Sequence, residues 1–288
     1  MLKRLSLFQV FYFVLLCSGT SSASDFQSAR TQALGGAGHA GPFLNDALYL
    51  NPSYTSFIKT HSLSFNYESF GNGTVDTPQG PTNFYGHLLN ASVIDGTSES
   101  IFQAGVGYTA RPDANFLHIG ASKDFLTRFG VGLGGKFIFP NNHSGSQIND
   151  ATFSFTAIAA SWLQAALIVD NLFESGKSKG YYREFTLGTK FNALGIILAY
   201  IDPLWVPSYD GPKWGLQAGL EFPFFTDFFL RMGTFRNGAI AYEAQQRGDG
   251  WSIGAGWVGP KISVDYAYMK AIHPIVSDSH QGGLNIFF

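Results

Sequence analysis

Residues 128–139 read RFGVGLGGKFIF. Phe129, Val131, Leu133, Phe137 and Phe139 fall on one face, and Arg128, Gly130, Gly132, Gly134 and Lys136 on the other. Side chains of an extended strand alternate sides, so this stretch has an apolar wall and a wall of glycine and polar groups. The same period of two recurs from residue 61 to the end in segments of about ten residues. Such strands cross a membrane only as a closed barrel, in which each backbone N–H and C=O is paired and no edge remains. The expected fold is all-β, a transmembrane antiparallel up-and-down barrel over residues 61–288.

Strands are predicted at residues 61–69, 82–90, 102–110, 115–123, 129–139, 151–159, 162–170, 183–192, 195–201, 213–222, 227–235, 251–258, 261–270 and 282–288. That gives about 14, an even count as single-chain bacterial barrels have. About 12 is the alternative, because 82–90 and 115–123 alternate poorly. Residues 155–169 also read as one apolar helix, which would break the even count. Tight links at 160–161, 192–194 and 258–260 suit periplasmic turns. Longer polar links at 71–81, 141–149, 171–182, 202–212, 236–250 and 271–281 suit extracellular loops.

Residues 1–23 read as a secretory signal, with Lys3 and Arg4, an apolar run over 5–16, and cleavage near Ala23 after Ser21 and Ser22. The run is shorter than the roughly 20 apolar residues of a spanning helix. Cys17 is the only cysteine, and Leu16 before it does not suit a lipoprotein signal, so the mature chain is expected to lack cysteine. Charged residues are 13% of the chain, about half the usual quarter. Aromatic residues are 16%, with 28 Phe. A net charge of −2 and no basic run give no basis for a nucleic-acid partner. Mean hydropathy stays at +0.05 because lumen-facing polar residues offset lipid-facing ones. A secreted β-sandwich or jelly roll is the rival class. Charge depletion argues against it, as do Trp162, Trp205, Trp214, Trp251 and Trp257 near segment ends, where rings anchor at the headgroup zone. Phe235 and Tyr85 are candidates for inward aromatics. The expected location is the Gram-negative outer membrane, with its lipids as partners and Phe288 as a signal to the barrel-assembly machinery.

Residues 24–60 lack the alternation. They hold Gly35, Gly36 and Gly38, a helical turn over 45–50, and Asn51-Pro52. Irregular backbone at membrane depth must sit in the lumen, because lipid cannot satisfy its amides. A hatch or plug follows, with Gly35, Gly36, Gly38, Asp46, Asn51 and Pro52 as its candidate residues. Either Asp46 and Asn51 latch a movable hatch to the wall, or the plug is immobile and its glycines simply fit.

Two stretches resemble known proteins. Residues 33–38 (ALGGAG) followed by 45–52 (NDALYLNP) resemble the N-terminal motif of the FadL-like superfamily, including the PorV/PorQ group. Residues 169–172 (VDNL), 219–222 (GLEF), 230–233 (LRMG) and 264–268 (VDYAY) fall in the order of PorV/PorQ-type proteins. The resemblance implies a 14-stranded barrel with its N-terminal segment in the lumen. It also implies passive passage of small hydrophobic molecules, as in FadL, or, as in PorV, a non-transporting secretion-linked binder. In the second case the loops 141–149 and 236–250 would meet the partner. The chain is shorter than typical members, which touches ligand capture more than fold.

Alternation turns Lys213, Gln217 and Glu221 inward, then Arg231 and Gly233, then Lys261, Ser263 and Asp265, with Lys136, Glu184 and Lys190 by the same rule. Both signs are present, so a network across neighbouring strands is expected rather than a selectivity ring. It either packs a narrow lumen or lines a polar path. No enzyme signature occurs, and no cofactor or metal is expected from histidines scattered at 39, 61, 87, 118, 143, 273 and 280. His61 with Ser62 or Ser64, and His118 with Ser122, are the Ser–His pairs that an outer-wall lipid hydrolase would use.

Overall fold

The computed structural model describes residues 26–72, 75–77, 80–82, 85–96, 102–141, 146–239, 247–274 and 276–288. The expected signal and its cleavage site lie outside the described residues, as do His143 and parts of the loops 141–149 and 236–250.

Sixteen strands run in chain order among the described residues. They are β1 (His61–Asn72), β2 (Val75–Thr77), β3 (Gly80–Thr82), β4 (Tyr85–Asp95), β5 (Gln103–Ala110), β6 (Ala114–Phe125), β7 (Phe129–Pro140) and β8 (Ile148–Ala160). Then come β9 (Leu163–Asp170), β10 (Glu184–Ala193), β11 (Ile197–Trp205), β12 (Trp214–Phe224), β13 (Phe228–Ala239), β14 (Arg247–Val258), β15 (Ile262–His273) and β16 (Ser277–Phe287). All but β2 and β3 form one closed barrel of fourteen antiparallel strands, and β2 and β3 pair as a small ribbon between β1 and β4. β1 closes the cylinder against β16, from Ser62 opposite Phe287 to Asn72 opposite Ser277. The twelve-strand and helix alternatives are excluded: Tyr85–Asp95 and Ala114–Phe125 are wall strands, and residues 155–169 divide between β8 and β9.

Alternation holds along the wall because a slip of one residue would put every apolar side chain into the lumen. Over β4 burial switches at each residue from Tyr85 to Asp95. In β7, Val131, Leu133 and Phe139 are exposed while Gly130, Gly132, Lys136 and Ile138 are buried. The five tryptophans are all exposed on the outer wall, Trp214 at 70%. Tyr85 is also outward at 71% exposure, correcting its inward assignment, whereas Phe235 is buried.

Several expected loops are partly wall. Residues 202–205 belong to β11, 247–250 to β14 and 277–281 to β16. Their polar residues looked like loop, but Asp202, Arg247 and Ser279 point to the lumen, where polarity is tolerated. The end of the barrel that carries His61 and Phe288 has the tight turns, including Leu126 and Thr127, both at positive φ as two-residue hairpins demand. The other end, the mouth, carries the link 171–183.

Candidate functional site in the lumen

The segment before β1 enters the barrel and fills it. Ser28 caps α1 (Ala29–Ala33) by accepting a hydrogen bond from the Thr31 amide at 3.2 Å. Gly35, Gly36 and Gly38 then reverse the chain at φ of 69°, 84° and 124°, a region where other residues are strained. After α2 (Asp46–Leu50), Pro52 starts a 3-10 turn over Pro52–Phe57.

The wall is shaped to receive this segment. A Cβ at Gly132 would collide with the Ser53 amide, and one at Gly130 would lie 2.7 Å from the Ser53 carbonyl oxygen. At Gly233 it would strike the Leu34–Gly35 peptide. The glycine face of residues 128–139 is thus the seat of the Asn51-Pro52 turn. Alternation showed that these glycines face inward, but not what they face. Glycine bunched on the inward side of neighbouring strands is the signal that locates the plug.

Polar bonds fasten it. Asp202, fully buried on β11, accepts from the Gly38 amide at 2.7 Å and the His39 amide at 2.9 Å, and meets His39 Nδ1 at 2.8 Å. Its other oxygen takes the Thr189 amide at 3.1 Å. Next to it Pro203 supplies no N–H, and pairing of β10 with β11 resumes only on either side of Leu187 and Gly188. Asn51 donates to Thr156 Oγ1 at 2.8 Å and to the His39 carbonyl at 2.7 Å. The Ser53 amide donates to Ser154 at 2.8 Å, and the Gly35 amide to Ser252 at 2.9 Å. Gln32 reaches Glu68 at 2.7 Å and Ser279 at 2.6 Å. Asp46 does not touch the wall in this way. It accepts from Thr31 within the plug at 3.3 Å.

The inward charges divide into separate groups instead of one network. Glu221 accepts from Arg231 Nε at 2.6 Å and from Arg30 Nε at 3.0 Å, and Arg231 Nη1 bonds Asp265 at 2.5 Å. Arg30 belongs to the plug, so this chain of charges ties α1 to β12, β13 and β15. Lys136 pairs instead with Asp170 at 2.7 Å and Asn171 at 3.0 Å. Glu184 pairs with Arg247. Lys190 lies 5.9 Å from the centre of the Tyr200 ring. Lys213 and Lys261 are exposed just outside their strands, so their inward assignment is corrected: alternation holds only where a ladder fixes it.

Toward the mouth the lumen changes character. Phe70, Leu88, Phe116, Ile138, Leu204, Phe235 and Met269 are inward and each at most 3% exposed. They form an apolar collar of three clusters above the polar plug seat, with Phe26 of the leading segment packed into the first, where a water-filled pore would carry polar groups. The link 171–183 folds over it. Tyr181 packs with Phe116 and Ile138, and Tyr182 with Leu204. Asp150 holds the link by accepting from the Phe173 and Ser175 amides, both at 2.9 Å. Burial would raise the Glu174 carboxyl, but bonds from Ser208 and the Arg183 amide, with Lys177 and Arg183 nearby, hold it below its ordinary value.

The candidate Ser–His pairs do not assemble. His61 lies at the rim, 3.1 Å from Asp95, while Ser62 and Ser64 are buried on the lumen side. His118 and Ser122 share the inner face of β6 but stand about 13 Å apart along it. Among the described residues no cluster of three or more His, Cys, Asp or Glu is placed to hold a metal.

No protein-family model matches the chain, and no curated protein matches it in sequence. Solved structures do match in shape. The Ralstonia pickettii toluene transporter TbuX superposes with a TM-score of 0.64 at 10% identity, over 92% of this chain and 98% of that one. The Pseudomonas putida toluene transporter TodX gives 0.62 at 10% identity, over 93% and 98%. A Pseudomonas aeruginosa FadL homologue gives 0.60 at 12% identity, over 93% and 98%. At such identities the likeness is one of architecture: the chain has the fold of FadL-type outer-membrane barrels.

Proposed function

We propose that the protein is an outer-membrane channel for the passive passage of small hydrophobic molecules, gated by its own N-terminal segment. The apolar collar carries this reading. Inward Phe70, Phe116, Phe235 and their neighbours offer an oily entrance that an ion or sugar path would not need. Below the collar the plug is held chiefly by hydrogen bonds from polar side chains and by the ion pair of Arg30 with Glu221. Water entering the lumen can replace the hydrogen bonds at little net cost, so the seat suits an element that leaves and returns. The likeness to toluene transporters supports a hydrophobic solute. Gradient-driven diffusion completes the step, with no cofactor in the scheme.

A movable plug is tested by locking it. The Ala29 Cβ lies 3.4 Å from where a Cβ at Gly283 would stand, close to the spacing of a disulfide. In A29C/G283C the oxidised protein should lose toluene uptake into intact cells, and reductant should restore it. Uptake by the oxidised form equal to wild type overturns the gating scheme. If neither wild type nor a protein lacking residues 31–54 admits toluene, the channel reading falls and the secretion-linked scaffold takes its place.

A further inference from the structure

The outer wall of β15, β16, β1, β4 and β5 carries a feature that neither the plug nor the collar uses. An apolar groove of about 600 Å³ runs down this face, floored by Gly282 and Ala91 and flanked by Tyr67, Leu89, Tyr108 and Leu284. It continues into a second hollow of about 270 Å³ that shares Ala91 and Tyr108. At Gly282 a Cβ would meet nothing within 4 Å, so the floor is open surface, unlike the glycines that seat the plug. From the level of Tyr67 to that of Leu63 the paired hollows span roughly 13 Å at the rise of a strand.

Directly above the groove, toward the mouth, lies a polar row. Tyr268, His280, Ser69 and His87 sit side by side on consecutive strands by register. Both imidazoles are exposed, and each is held through Nδ1 by a tyrosine hydroxyl at 2.7 Å, His87 by Tyr67 and His280 by Tyr266. With the hydroxyl donating to Nδ1, Nε2 carries the proton and is a donor. Lys270 adds an ammonium group, 3.9 Å from Asp278, whose carboxylate also accepts from Tyr268. Two imidazole donors flanking a serine hydroxyl form a set that suits a phosphate, placed where a membrane-spanning wall meets lipid headgroups.

We infer that this face binds a phosphorylated acyl lipid, its chain in the groove over Gly282 and Ala91 and its phosphate on His87, Ser69 and His280. The site lies on the lipid side of the wall, so its occupant comes from the bilayer. The inference rests on the membrane placement proposed above and not on transport.

The test is native mass spectrometry of the full chain released from detergent micelles containing dioleoyl phosphatidic acid, with dioleoylglycerol as the probe lacking phosphate. Wild type should retain one phosphatidic acid and no dioleoylglycerol. Gly282→Leu, whose side chain enters open space, should cut retention at least tenfold, and H87F/H280F, which keeps a ring and removes both donors, at least fivefold. Heat-modifiable gel mobility confirms that each barrel is folded. Equal retention by Gly282→Leu and wild type overturns the groove assignment. Equal retention of the two probes, or full retention by H87F/H280F, overturns the phosphate assignment. Toluene uptake by Gly282→Leu should be unchanged, so failure of lipid binding and failure of transport are read separately.

Discussion

Asp202→Ala should free the plug while leaving the barrel closed. Asp202 is wholly buried and serves two plug amides, those of Gly38 and His39, besides the His39 ring and the Thr189 amide of β10. Alanine leaves the two plug N–H groups without an acceptor as long as the plug stays seated. Each orphaned buried donor costs roughly 1–3 kcal/mol, so the seated state loses about 2–6 kcal/mol. At about 1.4 kcal/mol per factor of ten, that raises the unseated population by at least about 30-fold. Asp202→Asn keeps a carbonyl acceptor and should fall between alanine and wild type. Hydrogen exchange of residues 35–40 followed by mass spectrometry measures seating, and liposome swelling with a small sugar measures leakage. Both should rise for Asp202→Ala, with heat-modifiable mobility retained. Unchanged exchange and leakage in a folded Asp202→Ala barrel would refute the latch.

Gly132→Val should unseat the Pro52–Phe57 turn by occupying the place of Ser53; trypsin cleavage at Lys59 should speed up, and an unchanged rate would contradict the seat. Glu221→Gln strips the shared partner from two buried arginines, a loss of about 3–5 kcal/mol by the usual cost of breaking a buried pair, read as a lower unfolding temperature in detergent. Because Lys136 pairs with Asp170 whereas Glu221 pairs with Arg30 and Arg231, a Lys136→Met/Glu221→Gln cycle should be additive within about 0.5 kcal/mol, whereas Arg231→Met/Glu221→Gln should not. Glu174 has a depressed folded-state value, so its contribution to the link 171–183 is present above the unfolded carboxyl value near about 4.3 and vanishes as pH falls through the folded value. The difference in pepsin cleavage of that link between wild type and Glu174→Gln should therefore shrink as the pH is lowered, and a difference that stays constant would count against the account.

The barrel was legible because period-two alternation is a strict constraint on a wall between lipid and lumen. Strand ends were less so. Inward polar residues of the plug seat, such as Asp202 and Ser279, resemble loop when read alone, and Pro203 strengthens that impression. This hid the residue that holds the plug's glycine turn. Arg30 was missed for another reason: the plug has no alternation, so nothing in its sequence tells which side chains meet Glu221. The inward charges were read as one set because parity reports a face but not a height, and only register separates Lys136 from Glu221. The histidines at 87 and 280, spread far apart in the chain, become neighbours of Ser69 only once β1 joins both β4 and β16.

The bare inner surface at Gly130, Gly132 and Gly233 is a mould of one particular insert. A side chain gained on one partner has to be matched by an atom lost on the other, so the two parts must change in step through a lineage. Transplanting the leading segment of another barrel into this cylinder should therefore jam unless its glycine pattern travels too. The cylinder and its stopper are inherited as a fitted pair.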